Sequence, residues 1–303
     1  MNLLSILAEK SATRIQEKIQ SILESFYNEG INIEERIYYI EPFYYLNYSV
    51  PTKSIKDYPI DDFINIFKFC VANALYEYIR DCEEPNLIQH IISTNYCCFD
   101  IGERVEIYRN CLDILNKKNM DRFLSKDGTS DLKPKVLQQL GDHLKNNTEI
   151  NLSGFILFRL KDYLLDLDAT IEKAVENFLI DREYNEFIKL LKYFVDIQES
   201  KFDTVHIVFD EGAGFKIYDQ HNDLLDNSYI KNVAVEFLED DINQDDLLIS
   251  ALITIAPKRI IIHRLSILED TGIIDALQNI FPEKMNFCNG CKWCNVHVNV
   301  KKE

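Results

Sequence analysis

The chain has 303 residues, 47% hydrophobic and 27% charged. That excludes a disordered acidic tail and allows one large domain or two smaller ones. Its 33 Lys and Arg face 50 Asp and Glu, a formal charge of −17 that opposes whole-protein binding to nucleic acid or an anionic membrane.

The first nine residues are briefly apolar. They lack a basic flank and meet Glu9 too early for a secretory signal. The longest strongly apolar run, residues 247–256, falls short of the roughly 20 residues that span a bilayer. A soluble, cytoplasmic protein is expected, with its eight cysteines reduced.

Ile15, Ile19, Ile22, Leu23 and Phe26 predict a helix stopped by Gly30. Residues 35–50 are rich in Ile and Tyr, broken by Pro42 and followed by Pro51, and predict a strand pair. Asp61 is placed to cap a helix through Phe63, Phe67, Cys70, Ala74 and Tyr78. Shorter helices follow from Pro85 to Ser93 and after Gly102. Residues 126–133 read as a polar loop, and Pro134 opens the next helix, ending near Asn147. Ser153 is placed to cap a long apolar pattern from Phe155 to Leu179, with a further helix carrying Phe187 to Val195.

Near residue 200 the character changes. Residues 205–209 and 215–218 read as strands, and 229–238 is ambiguous. Asp245 or Asp246 opens a helix to Ala256, and residues 259–263 form a buried-type strand. Thr271 opens a helix to Phe281, and 285–287 is a short last strand. The expected fold class is α+β: a mainly helical domain over 1–200, then a small α/β domain over 201–303 with a C-terminal strand and a cysteine-rich tail.

Three stretches carry a family resemblance: Phe155-Ile156-Leu157-Phe158-Arg159-Leu160-Lys161-Asp162-Tyr163, the run from Asp245 to Lys258, and the terminal Cys288-Asn289-Gly290-Cys291-Lys292-Trp293-Cys294. The pattern resembles the putative sporulation protein YtxC family of spore-forming Bacillota. The resemblance is strongest from about residue 150 onward. It implies a cytosolic protein associated with sporulation, and no established activity, ligand or catalytic residue.

The terminal cysteines carry the sharpest chemistry. Thiols at C-x2-C-x2-C spacing can turn toward one centre, and Gly290 permits the backbone such a knuckle needs. With His297 they would form a Cys3His zinc set: Cys288, Cys291, Cys294 and His297. Four ligands within ten residues make a cramped tetrahedron. An iron–sulfur cluster is the second option, its fourth ligand drawn from Cys70, Cys82, Cys97, Cys98, Cys111 or a partner. Dithiol redox chemistry is the third, with Lys292 near the thiols. Unligated thiols in a C-terminal hairpin, suggested by alternating Val296, Val298 and Val300, stand against all three.

The remaining candidates read more plainly. Gly212-Ala213-Gly214 lies between two strands and predicts a hairpin turn instead of a dinucleotide loop. Residues 241–245 begin like a calcium loop, but Asp246 stands where Gly is required. Arg159, within an apolar helix, would need a carboxylate partner if buried. His206 and His263 would share a face if their strands are neighbours. The expected function is a sporulation-associated protein acting through an unknown protein partner, with no nucleic acid and no membrane insertion. The alternative is a metal, iron–sulfur or thiol-redox protein using the terminal cysteines.

Overall fold

The computed structural model describes residues 1–9, 12–55, 59–124, 132–210, 214–225, 244–265 and 272–294. The fold is α+β, with two four-stranded sheets among the described residues. Contacts divide the chain into two compact units, Met1–Leu179 and Ile180–Glu303.

The opening residues form strand β1 (Asn2–Ala8), an element the sequence reading did not assign. Its residues are buried on both faces, so the run has none of the alternation that marks a half-exposed strand. Helix α1 (Ala12–Asn28) turns Ile15, Ile19 and Phe26 inward and ends before Gly30, whose φ of +81° suits a residue without a Cβ. The expected strand pair is the hairpin β2 (Glu34–Ile40) and β3 (Phe43–Ser49). Helix α2 (Ile60–Tyr78) has Pro59 at its cap position. Asp61 lies in the first turn beside Asp62, where a carboxylate still favours the helix dipole. A π-helical segment, Ile79–Glu83, carries α2 directly into α3 (Glu84–Asn95).

Helix α4 (Ile101–Leu124) opens on a capping box: Glu103 N–H donates to Asp100 Oδ1, and Asp100 N–H donates to Glu103 Oε2. Most of the expected loop at 126–133 lies outside the described residues. Helix α5 (Leu132–Asn146) leads to β4 (Glu149–Asn151) and α6 (Leu152–Arg159). The cap of α6 is Asn151, whose Oδ1 accepts from Gly154 N–H, and not Ser153. The chain breaks at Leu160 and resumes as α7 (Lys161–Ile197), one 37-residue helix where the sequence suggested two. The apolar period runs through the break, which hides it from a pattern reading. The first sheet has the order β2-β3-β1-β4, β1 lying antiparallel to β3 and parallel to β4.

In the second unit, β5 (Thr204–Phe209) and β6 (Phe215–Tyr218) form a hairpin closed by Asp210 N–H donating to Gly214 O. Strand–turn–strand is the hairpin reading of the glycine-rich stretch. Residues 211–213, the ambiguous 229–238 and the start of the calcium-like loop lie outside the described residues. Helix α8 (Gln244–Ile255), β7 (Arg259–His263), α9 (Gly272–Ile280) and β8 (Met285–Phe287) complete the unit. The sheet order is β6-β5-β7-β8, with β5, β7 and β8 parallel. Helix α9 crosses over between the parallel strands β7 and β8, and α8 stands in the chain between the antiparallel β6 and β7; both helices pack on one face. Burial agrees. Val205, Ile207 and Phe209 of β5, Ile217 of β6, and Ile260 and Ile262 of β7 join one core with α8, α9 and Val195 of α7. The intervening residues His206, Val208, Tyr218, Ile261 and His263 point to the opposite face.

One half-buried carboxyl in the first unit gives a test. Glu84 accepts from the Tyr163 hydroxyl. Burial pushes its pKa above the ordinary glutamate value of 4.5, and the Tyr163 hydrogen bond and Arg80 only partly oppose that. A raised folded-state value means that its stabilising contribution is complete below about pH 4.5 and is lost as pH rises through the folded value. Glu84→Gln keeps an acceptor for Tyr163 and cannot ionise. Urea denaturation at increasing pH should show the variant gaining on the wild type as pH rises; parallel curves would remove Glu84 from that account.

Candidate metal centre

Histidines and cysteines meet on the face of the second sheet opposite α8 and α9. His263 is the last residue of β7 and is 3% exposed. Strand β8 runs parallel to β7 with Ile262 opposite Phe287, so His263 and Cys288 come next on neighbouring strands. Cys288 N–H continues the ladder by donating to Ile262 O at 2.9 Å. The chain then turns at Gly290, whose φ of +130° lies where side chains with a Cβ are strained. An added Cβ would meet nothing within 4 Å, so the backbone conformation, not space, calls for glycine. A second turn, closed by Cys294 N–H donating to Cys291 O at 3.1 Å, brings the last two thiols back over the sheet.

The result is a four-residue cluster. His263 Nδ1 lies 3.3 Å from Cys291 Sγ and 3.6 Å from Cys294 Sγ, and those sulfurs are 3.8 Å apart. With Cys288 Sγ added, all four atoms lie within 4.8 Å of one another. For zinc with Zn–S of about 2.3 Å and Zn–N of about 2.0–2.1 Å, a tetrahedron requires S···S of about 3.8 Å and S···N of about 3.6 Å. The Cys291–Cys294 and His263–Cys294 separations are those edges, and His263–Cys291 is about 0.3 Å shorter. The donor set fits one mononuclear ion. An iron–sulfur cube would have to sit between the sulfurs and drive them apart.

Backbone N–H groups turn toward the sulfurs, as thiolates require. Trp293 N–H donates to Cys291 Sγ at 3.3 Å. Burial pushes the Cys291 thiol up, but the N–H groups of Cys294 and Trp293 and the neighbouring thiols outweigh it, so its pKa falls below the usual thiol value. Cys288 goes the other way. The Gly290 N–H pulls it down, and desolvation together with the Cys291 and Cys294 thiols carries it above. Burial lowers the pKa of His263, with His206 adding to the effect. Burial also lowers His206, against the opposing charge of Asp219. Both rings are thereby held in the neutral form that binds metals.

Trp293, the only tryptophan in the chain, covers the centre. Its ring stacks on Tyr218 at 5.2 Å and contacts His206 at 5.0 Å and His263 edge-on at 4.9 Å. His206 Nδ1 lies 3.0 Å from His263 Nε2, so the two histidines do share a face. The sequence reading had that pair and the three thiols as separate features. The signal that joins them is the parallel register, which places the residues ending 259–263 and following 285–287 side by side. His297 lies outside the described residues. Arg159 is exposed and borders a polar cavity with Asp142 and His143.

The sequence model of the YtxC-like family matches residues 69–286, so the matched span includes both histidines and stops short of Cys288. The chain is also similar to an uncharacterized protein, YtxC of Bacillus subtilis (strain 168), at 24% identity over 212 residues, covering 70% of this chain and 73% of that one. No solved structure matches. The chain belongs to the YtxC-like family.

Because Trp293 is the sole tryptophan, its fluorescence reports on this face alone. Acrylamide should quench it less in the native protein than in the unfolded chain, and Tyr218→Ala should raise the quenching toward the unfolded value. Equal quenching of the native and unfolded chains would show that Trp293 does not pack on the sheet.

Proposed function

We propose that this member of the YtxC-like family holds a zinc ion in its second unit, bound by His263 Nδ1 and the Sγ atoms of Cys288, Cys291 and Cys294. The observation that carries the reading is the convergence of those four atoms within 4.8 Å. Soft thiolates with one imidazole in tetrahedral array select zinc over hard cations. Four protein ligands leave no open position for a substrate, so the ion's work is structural: it pins the cysteine turns across the sheet face opposite α8 and α9. His263 supplies a fourth ligand from a separate strand, which removes the crowding of a set confined to the tail.

Anaerobically purified protein should contain about one zinc per chain and be colourless, with X-ray absorption giving three sulfurs and one nitrogen around the metal. Cys291→Ser and His263→Ala should each weaken zinc binding at least about tenfold, whereas Cys97→Ser and Cys98→Ser should not. His297→Ala discriminates the fourth ligand: full affinity assigns the position to His263, and a loss equal to that of His263→Ala sinks the assignment. A metal-free protein whose tryptophan emission ignores added zinc and chelator would overturn the whole reading.

One observation favours a second reading. The Cys291 thiol lies 3.8 Å from Cys294 and is lowered by backbone donors, which is the setting of a redox-active dithiol. Alkylation by iodoacetamide separates the two, since zinc-bound thiolates should be protected until a chelator is added.

The wider role in the proposal is sporulation in a spore-forming cell, exercised in the cytoplasm through contact with a protein partner. Its support is the resemblance to a family associated with sporulation. No helix among the described residues is long and apolar enough to cross a membrane. Deleting the gene in its own host should lower the yield of heat-resistant spores, and undiminished sporulation would remove that role.

A further inference from the structure

We infer that His206 is the positioning residue of the metal centre: its Nδ1 accepts the Nε2–H of His263 and so presents the bare Nδ1 of His263 to the three sulfurs. The inference rests on the metal reading above and concerns how that site is held. An imidazole can bind a metal through either nitrogen, and the hydrogen bond made by the other nitrogen decides which. In His263, Nδ1 faces Cys291 and Cys294 while Nε2 faces His206 at 3.0 Å. Two proton arrangements fit those positions. In one, Nδ1–H of His206 donates to His263, and His263 Nδ1–H donates to Cys291. In the other, His263 Nε2–H donates to His206. A metal on His263 Nδ1 permits only the second.

The strand pairing builds the contact. Val208 lies opposite His263 in the β5–β7 ladder, so His206 stands two residues back on the same face, within diagonal reach. Trp293 lies against both imidazoles and is itself stacked on Tyr218, which restrains the two rings together. The choice of partner also has an electrostatic reason. Zinc with three thiolates already carries one net negative charge, and the usual carboxylate behind a ligating histidine would add another. A neutral imidazole orients His263 without doing so.

The test uses the full-length protein loaded with zinc. In His206→Leu no acceptor remains, and release of zinc to a chelator should accelerate about 10- to 100-fold. His206→Asn sets Oδ1 close to where Nδ1 stood and should restore release to within a few-fold of wild type. Equal rates for wild type and His206→Leu would overturn the inference, as would equal impairment of both variants, which would indicate packing alone. A readout in the wild type does not depend on how the variants fold. Long-range proton–nitrogen correlation spectra of the zinc-loaded protein should show both His206 and His263 protonated on Nε2, and protonation of His206 on Nδ1 would overturn the assignment. A wild-type chain that takes up no zinc defeats the metal reading and this inference with it. Zinc uptake with unaltered release from His206→Leu defeats this inference alone.

Discussion

The second unit is governed by an imbalance between the two faces of its sheet. Helices α8 and α9 both fall on one side, where Val205, Ile207, Ile260 and Ile262 meet them in a conventional core. The other side presents His206, Val208, Tyr218, Ile261 and His263. Leaving those rings and aliphatic side chains in water would waste burial worth about 25 cal/mol per Å² of apolar area. The segment after β8 lies against that face. Among the described residues, what it supplies is one large aromatic, Trp293, laid across three rings of the sheet.

That arrangement explains why the chemistry sits where it does. In open parallel sheets, ligands gather beyond the carboxyl ends of the strands, where the chain emerges into loops. His263 and Cys288 occupy such ends on adjacent strands. The turns that carry Trp293 over the sheet also carry Cys291 and Cys294, so aromatic cover and thiol convergence are two results of one path. The buried imidazole of His263, the half-buried one of His206 and the backbone-supported sulfurs in the turns are the complementary halves of the proposed soft-metal site.

Much of this organisation was legible in the sequence. The second unit's order of strands and helices follows from runs such as residues 205–209 and 259–263, and Gly290 marked the knuckle. What escaped were features set by tertiary pairing. Strand β1 is buried on both faces and carries no period. The break at Leu160 preserves the apolar pattern and so leaves no trace in it. Asn151 caps α6 because its side chain reaches Gly154 N–H, a choice over Ser153 that only geometry makes. The histidine nearest the thiols in sequence is His297; among the described residues the histidine beside them in space is His263, which strand register brings there across 28 residues from Cys291.

The span between His263 and Cys291, 28 residues, has a consequence for the unfolded chain. A metal shared by the two closes a loop that contains α9 and β8. A crosslink of that length removes conformational entropy from the denatured ensemble worth about 3–4 kcal/mol. Unlike a disulfide, it forms without an oxidant, so it suits a reducing compartment. It can also be undone without cutting a covalent bond. Helix α9 and strand β8 would then be fastened by a reversible staple, one whose grip depends on how much free metal surrounds the protein.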